Sequence, residues 1–250
     1  MTLPYRDFYY PLNVFMHILT LEEGAVPHLH YGLFENESDS IVTAQERSTN
    51  LLFSRLPASP AKILEVGVGL GTTLARLVAA GYDAKGITPD EQQITALRRQ
   101  RGEELRVECA KFESYDPGLR FDTVVFQESS QYIDSSALFA RAAGMTDRVL
   151  VLDEFALRDV EGLHSHARFV EAARAHGFSV FEELDLSEQA APSIDYFQVR
   201  FERYRELLIN DLGLTSDKVD ELIEGGVRYR QRYRSGDYGY RFLDLRKTAG

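Results

Sequence analysis

Three glycines in strict alternation are the first residues in this sequence that could serve chemistry. Gly67, Gly69 and Gly71 follow a short apolar run and precede apolar residues at helical spacing. Glycine allows a tight turn and lets a ligand approach the backbone closely. Glu65 stands just before them, and a carboxylate there suits a cationic amine better than a phosphate. We therefore predict a ligand site here, because a ligand-free turn has no need of three glycines, which are costly in conformational entropy.

Alternating strands and helices must position this turn. Short apolar runs predict six strands, over residues 63–66, 84–88, 105–109, 121–127, 149–153 and 178–186. Helical spacing predicts the helices between them, over residues 70–81, 90–101, 135–143 and 164–176. Such alternation means crossover connections and a mostly parallel sheet. The glycine-rich turn then lies at the carboxyl ends of the strands, where open α/β sheets bind their ligands.

The two ends of the chain break this rhythm. Residues 193–210 and 216–234 look like consecutive helices, and 238–246 looks like a last strand that could pair antiparallel at or inside the sheet edge. The first sixty residues look helical and show no strand pattern. We therefore predict one domain over the whole chain, with a helical cap at 1–58 and a helical insertion at 190–236.

The composition limits the class of protein. Apolar residues make up 44% and charged residues 27% of the chain, which is ordinary globular usage. The net charge of −11 argues against a nucleic-acid partner, because such proteins usually carry a basic face. The single cysteine allows no internal disulfide. No stretch has the roughly 18 apolar residues that cross a bilayer, or the pattern of a signal peptide. We therefore expect a cytoplasmic protein without a membrane partner.

Residues 65–72, Glu-Val-Gly-Val-Gly-Leu-Gly-Thr, resemble motif I of the class I methyltransferases that use S-adenosylmethionine (SAM). The alternation over residues 60–186 and the last strand resemble the seven-stranded sheet of the same family. The resemblance implies an α/β, three-layer Rossmann-like fold whose last strand is antiparallel. It also implies SAM as cofactor and S-adenosylhomocysteine (SAH) as product, with Glu65, the three glycines and Thr72 around the methionine part of SAM.

A second stretch of sequence resembles one subgroup of that family. Residues 86–93 read Gly-Ile-Thr-Pro-Asp-Glu-Gln-Gln, without the acidic residue that most members use to hold the ribose. This is similar to a subgroup that includes cyclopropane-fatty-acid and mycolic-acid synthases and small-molecule methyltransferases. The resemblance assigns Thr88, Pro89 and Gln93 to the adenosine part of SAM. Gln93 also lies three residues after Asp90, a capping-box pattern that is compatible with this role.

The residues after the third predicted strand resemble another cofactor-binding segment of this subgroup. Lys111, Phe112 and Glu113 are implied to flank adenine, with Phe112 against the ring and Glu113 accepting a hydrogen bond from the exocyclic amine. Gln127, at the end of the fourth predicted strand, is assigned to the same cofactor site. The alternative is a core Phe112 and a surface Glu113. Cys109, in the third predicted strand itself, is expected to be buried.

Residues 27–35, Pro-His-Leu-His-Tyr-Gly-Leu-Phe-Glu, resemble the lid segment that precedes motif I in this subgroup. The resemblance implies that Tyr31 reaches the carboxylate or sulfonium region of SAM, which makes it a candidate for binding and for catalysis. His28 and His30 also have the spacing of a metal pair. No further His or Cys cluster supports a metal, so none is predicted.

The ends of the fourth and fifth predicted strands carry the other catalytic candidates. Glu128 could be the general base or could orient the acceptor, and Tyr132 stands where many relatives have a histidine. Asp153 and Glu154 close the fifth strand and, together with Glu128, favour a cationic or amine-bearing acceptor. The alternative is that Asp153 and Glu154 cap a helix or pair with arginines. Three histidines are alternative bases: His17, His28 and His30.

The leading hypothesis is a methyltransferase that acts on N, O or C of a small molecule. Secondary metabolism is suggested by the resemblance alone. Cyclopropane-type methylene transfer, intramolecular cleavage of SAM that releases methylthioadenosine, and a non-catalytic SAM-binding module are the alternatives. A nicotinamide-dependent oxidoreductase is disfavoured, since its Gly-x-Gly-x-x-Gly spacing and acidic strand end are both missing. A partly exposed aromatic cap could pair two chains into a homodimer.

Overall fold

The computed structural model describes residues 5–6 and 8–248. These residues form two compact units. The helical unit contains the described residues up to Ser48 together with Glu188–Gly236, and the sheet unit contains Thr49–Ser187 together with the described residues from Asp237 onward. Most of the predicted N-terminal cap and the predicted insertion therefore belong to the same unit.

The strands of the sheet unit are β1 (Lys62–Val66), β2 (Asp83–Thr88), β3 (Val107–Cys109), β4 (Thr123–Gln127), β5 (Arg148–Ala156), β6 (Phe178–Asp185) and β7 (Tyr238–Lys247). They form one sheet in the order β3-β2-β1-β4-β5-β7-β6. β7 runs antiparallel to both of its neighbours, and the remaining neighbours are parallel. This arrangement confirms the predicted seven-stranded, mostly parallel sheet with an antiparallel last strand.

The α-helices of the described chain are α1 (Leu12–Glu23), α2 (Ile41–Arg55), α3 (Thr72–Ala79), α4 (Glu91–Arg101), α5 (Ser135–Met145), α6 (His166–Ala175), α7 (Ser187–Ala190), α8 (Pro192–Arg203), α9 (Arg205–Leu212) and α10 (Ser216–Arg234). Two short 3-10 helices, Phe112–Ser114 and Ser130–Tyr132, follow β3 and β4. None of the described helices is both long and apolar enough to cross a membrane.

Three of the differences from the sequence-based prediction affect how elements are placed. β5 runs on to Ala156, so Asp153 lies inside the strand and not at its end. β3 is short and is an edge strand that pairs with β2 alone. The predicted helix over 193–210 is two helices, because the backbone of Tyr204 leaves helical geometry (φ −101°, ψ 14°) where its hydroxyl donates to Glu22 of α1 at 2.5 Å.

The core of the sheet unit explains why the central strands read as unbroken apolar runs. β1, β4 and β5 are buried on both faces, as expected for parallel strands covered by helices. Phe139 of α5 packs against Phe169 of α6 and Phe178 of β6, with ring centroids 5.0 and 5.8 Å apart. Burying each such ring contributes about 1.5–3 kcal/mol. This packing holds the strand ends, and the residues just beyond them, in fixed positions.

The helical unit joins the N-terminal helix to the insertion. The ring of Phe15 in α1 lies edge-on to Phe197 and Phe201 of α8, at 4.8 and 5.7 Å. Glu22, near the end of α1, accepts hydrogen bonds from the hydroxyl of Tyr204 and from Arg200. These bonds hold the pKa of the Glu22 carboxyl below its ordinary value, with the Tyr204 hydroxyl as the largest cause.

Candidate active site

The glycine-rich turn after β1 has a backbone that only glycine adopts readily. Gly67, Gly69 and Gly71 have φ of 79°, 52° and 71°, all in the left-handed region. The N–H of Gly67 donates to the carbonyl of Ile87 in β2 at 2.8 Å, which ties the turn to the sheet. A Cβ on Gly67 would overlap the side chain of Ser129. The prediction of a tight turn at the carboxyl end of β1 is therefore confirmed.

Replacing Gly67 with alanine should lower the free energy of unfolding by about 2–4 kcal/mol, since the new Cβ adds overpacking to backbone strain. Gly118→Ala is the matched control: its φ is also positive, at 63°, but no atom lies within 4 Å of the added Cβ. The control should therefore lose only the backbone contribution, about 1–2 kcal/mol. Urea denaturation measures both, and equal losses in the two variants would contradict the proposed overlap with Ser129.

Glu65 is a buried carboxyl that lacks a complete set of partners. Its side chain is 4% exposed, and its Oε2 hydrogen-bonds no atom of the described chain. Burial raises the pKa of Glu65 to about 8, and the positive charge of Arg101 opposes that rise. A buried polar oxygen without a partner is costly and uncommon in folded proteins. The chemistry of this carboxyl therefore suits a cationic group that enters beside the glycine-rich turn.

The start of α4 holds a pair of buried polar side chains. The hydroxyl of Thr88, at the end of β2, donates to Oε1 of Gln93 at 2.9 Å. Asp90 caps α4 by accepting from the N–H groups of Gln92 and Gln93, which confirms the predicted cap. The reciprocal bond of a capping box, from the N–H of Asp90 to the side chain of Gln93, is absent. The N–H of Asp90 donates instead to the hydroxyl of Thr88, and that hydroxyl donates to the side-chain oxygen of Gln93. Pro89 joins the two elements.

The segment after β3 divides into a buried ring and exposed polar residues. Phe112 is 2% exposed and packs edge-on against Phe126 of β4, with ring centroids 5.1 Å apart. Lys111 and Glu113 are exposed. The placement of Phe112 in the core matches the alternative that the sequence left open. The expectation of a buried Cys109 is wrong: its thiol is exposed, because Cys109 ends an edge strand.

The end of β4 carries a strained residue and a buried amide. Gln127 accepts from the hydroxyl of Thr73 at 3.1 Å and donates to the hydroxyl of Thr49 at 3.3 Å, so it ties α3 to α2. Glu128 has a φ of 53° and is the one non-glycine residue of the described chain in the left-handed region. Its carboxylate accepts a hydrogen bond of 2.7 Å from the hydroxyl of Tyr240, a fully buried residue of β7. Backbone strain of this kind clusters at functional sites.

Asp153 holds the turn that follows Glu128. It accepts hydrogen bonds from the N–H and the hydroxyl of Ser130, at 2.9 and 2.6 Å, and from the N–H of Glu154. Burial raises the pKa of Asp153 to about 6, against the lowering effect of the Ser130 hydroxyl. Its interactions are those of a structural acceptor. These contacts match neither of the roles expected from sequence, the cap of the next helix or a pair with an arginine, because Ser165 caps that helix and the partners of Asp153 are Ser130 and Glu154.

The turn of residues 130–132 is also held from the segment that precedes α6. Nε2 of His164 lies 2.9 Å from the carbonyl of Ile133 and 3.2 Å from that of Ser130, so this nitrogen carries the proton. Gln131 bridges the carbonyl of Glu154 and the N–H of His164. Tyr132, a predicted catalytic residue, is 76% exposed at the end of the turn.

Tyr31 belongs to the helical unit, in the segment between α1 and α2. The segment is fixed by its neighbours: Gln45 donates to the carbonyl of His30 at 2.7 Å, and Nε2 of His28 lies 3.0 Å from Glu46. His17, the third histidine considered as a base, lies 3.1 Å from Asp211 in the same unit. The described residues contain no group of three or more His, Cys, Asp or Glu side chains that could hold a metal ion.

Four residues of this region were missed by sequence reasoning: Arg101, Ser130, His164 and Tyr240. Tyr240 and Glu128 are 112 positions apart, and nothing in the alternation of β7 marks the tyrosine as a partner of β4. The basic end of α4 is an ordinary helix C-terminus in sequence, so Arg101 gave no signal. Ser130 lies between Glu128 and Tyr132, but nothing in the local sequence marks it as a partner of Asp153.

No protein family model matches this chain, and no curated protein matches it. Solved structures match it closely in fold. The (4+2)-cyclase SpnF superposes with a TM-score of 0.77 at 20% identity, over 94% of this chain and 92% of that one. A putative sarcosine dimethylglycine methyltransferase from Galdieria sulphuraria gives 0.79 at 15% identity, over 94% and 97%. The mycolic acid cyclopropane synthase CmaA1, complexed with SAH and CTAB, gives 0.74 at 19%, over 87% and 89%. The chain therefore has the Rossmann-like fold of these proteins.

Proposed function

We propose that this protein is an enzyme that transfers a methyl group from SAM to a small-molecule acceptor. The observation that carries the proposal is the buried carboxyl of Glu65, with its unpartnered Oε2, beside three glycines in left-handed geometry. A carboxylate in that state is stabilised by a cation, and SAM carries an ammonium group on its methionine part. The same fold holds SAH in the CmaA1 structure.

The residues around Glu65 fit the rest of SAM. Thr72 begins α3, whose N-terminal N–H groups suit the methionine carboxylate. Thr88 and Gln93 are buried polar groups at the next strand end and suit the adenosine hydroxyls. Glu113 and Lys111 are exposed at the strand after that and suit the polar edge of adenine. SAM supplies a methyl group activated by a sulfonium, and these residues bind and orient it.

On the acceptor side, we propose Glu128 as the general base or as the group that orients the acceptor. Glu128 follows the carboxyl end of the central strand β4 and has a strained backbone. The hydroxyl of Tyr240 donates a hydrogen bond to one of its carboxylate oxygens. Glu128 and Glu154 are both half-buried carboxylates, which supports an amine-bearing acceptor. Asp153 is omitted from the catalytic set because it holds the Ser130 turn, and Tyr132 because it is largely exposed. For Tyr31, the resemblance of its sequence segment is the support for a role in binding SAM.

The single cysteine offers a direct probe of the cofactor site. Cys109 is exposed and is the register partner of Thr88 across β3 and β2. If adenosine lies on Thr88, saturating SAH should slow the reaction of Cys109 with a disulfide reagent by about fivefold or more, since the bound fraction is shielded. Methionine, which lacks adenosine, is the control and should leave the rate unchanged. An unaltered rate with SAH bound would contradict this placement of adenosine.

Calorimetric titration with SAM and SAH tests the proposed function. We expect micromolar binding of both, with one site per chain. Incubation with labelled SAM and a panel of small amines should then produce SAH only when an acceptor is present. Methylthioadenosine as the product would replace methyl transfer by cleavage of SAM. No binding of either ligand to a folded protein would overturn the proposal.

A further inference from the structure

Arg101, the last residue of α4, is attached to the glycine-rich turn. Its Nε donates to the carbonyl of Leu70 at 2.9 Å, and its Nη2 donates to the hydroxyl of Thr72 at 2.7 Å. One bond thus reaches the middle of the turn and the other reaches the first residue of α3. Leu97, one helical turn earlier on α4, lies where a Cβ on Gly71 would fall. The last two turns of α4 therefore contact the glycine-rich turn through Leu97 and hold it with the hydrogen bonds of Arg101.

Arg101 also acts on Glu65 through its charge. Arg101 and Glu65 form no ion pair within 4.0 Å, so Oε2 of Glu65 is available to bind another cation. Among the charged groups of the described chain, Arg101 is the one whose charge shifts the pKa of Glu65, and it lowers that pKa against the larger effect of burial. A buried carboxyl that must ionise to bind an ammonium group benefits from a nearby positive charge that does not occupy it.

We infer that Arg101 is a positioning residue for the proposed cofactor: its guanidinium fastens the glycine-rich turn, and its charge prepares Glu65 to receive the ammonium group of SAM. This inference rests on the proposed function, because the ligand is the same. It assigns to α4 a role at both of its ends, since the first turn carries Gln93 and the last carries Arg101. The role of the first turn is to meet the ligand, and the role of the last is to hold the groups that meet it.

Two substitutions separate the effect of the hydrogen bonds of Arg101 on the glycine-rich turn from the effect of its charge on Glu65. Arg101→Lys keeps the charge but loses the planar two-pronged donor, so the affinity for SAH at high pH should fall by about 3- to 10-fold with an unchanged pH midpoint. Arg101→Gln removes the charge, so the midpoint of the rise in SAH affinity with pH should move up by about one pH unit. SAH is the probe, titrated by calorimetry from pH 6 to 9.5.

Arg98→Gln is the matched control. Arg98 lies on the same turn of α4, is half exposed, and pairs with the exposed Glu103 at 3.1 Å. Comparing each variant with this control at the same pH cancels the titration of the amine of SAH itself. The inference is overturned if Arg101→Gln leaves the pH midpoint at that of the control, or if Arg101→Lys leaves the high-pH affinity unchanged.

A second measurement separates failure of this inference from failure of the proposed function. If the unmodified protein binds no SAH at any pH, the proposed function fails. The effect of Arg101 on Glu65 is then read from the free protein, whose stability should continue to fall up to a higher pH in Arg101→Gln than in the unmodified protein. That displacement should vanish when Glu65→Gln is also present. No displacement, or one that persists in the double variant, overturns the effect of Arg101 on Glu65.

Discussion

Replacing Glu65 with glutamine should weaken the binding of SAM and SAH by roughly 30- to 1,000-fold at pH 7.5, while the protein stays folded. The substitution removes the negative partner of the ligand ammonium in a site that excludes water, and losses of about 2–4 kcal/mol are usual for such pairs. Glutamine keeps the size and one oxygen of the side chain, so packing around β1 changes little. Calorimetry measures the loss, and Glu113→Gln is the exposed control, with a loss below about tenfold because an exposed contact is worth less.

Binding should also release a proton, which ties the affinity to the ionisation of Glu65. Because the pKa of Glu65 is raised to about 8 in the free protein, the carboxyl is mostly protonated at pH 7. An ammonium group beside it favours the ionised form, so the proton leaves on binding. Titrations in two buffers with different ionisation enthalpies should give a release approaching one proton at pH 7. Glu65→Gln should release none, and equal release in the two proteins would contradict the assignment.

The same shift predicts how the stability of the free protein depends on pH. The folded pKa lies above the unfolded value of 4.5, so the folded protein binds more protons between these two values. The contribution of Glu65 to stability is therefore complete below about pH 4.5 and is lost as the pH rises towards 8. Denaturation at pH 5.5 and 8.5 should show a loss of about 2–4 kcal/mol that Glu65→Gln abolishes. A loss that persists in the variant would have another source.

The parts of the site that local sequence predicted are those built from neighbouring residues. The left-handed turn at Gly67–Gly71 follows from glycine chemistry, and the Asp90 cap follows from the preference of aspartate for that position. The limits of α10, Ser216–Arg234, agree with the predicted 216–234 because a Thr215 cap and apolar spacing mark them locally. The mostly parallel sheet followed from the alternation of elements.

The parts that local sequence could not predict depend on partners that are distant in the chain. The antiparallel β7 was expected at or inside the sheet edge, and only the tertiary structure places it between β5 and β6. Cys109 was expected to be buried because it lies in a predicted strand, yet its position at the end of an edge strand exposes it. The contact between Tyr240 and Glu128 joins β7 to the end of β4 and has no sequence signature.

Glu128→Gln should lower kcat for methyl transfer by about 10²- to 10⁴-fold if Glu128 removes a proton from the acceptor. The affinity for SAH should stay within about twofold, since most of the predicted cofactor residues lie at β1, β2 and β3. Gln127 of β4 is held by Thr73 and Thr49 and not by Glu128. Glutamine retains the shape of the side chain and can still accept from Tyr240. The assay uses labelled SAM with the best acceptor from the panel of small amines. A parallel loss of SAH affinity would instead indicate a disturbed cofactor site.

Tyr240→Phe should show whether the hydroxyl acts through Glu128. Removing a donor from a carboxylate disfavours its ionised form, so the acid limb of the kcat profile should move to higher pH. At pH values above that limb, the kcat of Tyr240→Phe should return to much of the value of the unmodified protein. Tyr238→Phe is the matched control on the same strand, because its hydroxyl donates to the backbone carbonyl of Glu161 and not to a carboxylate. If both variants lose rate equally at every pH, the hydroxyl of Tyr240 supports the fold alone and Glu128 needs another partner to act as a base.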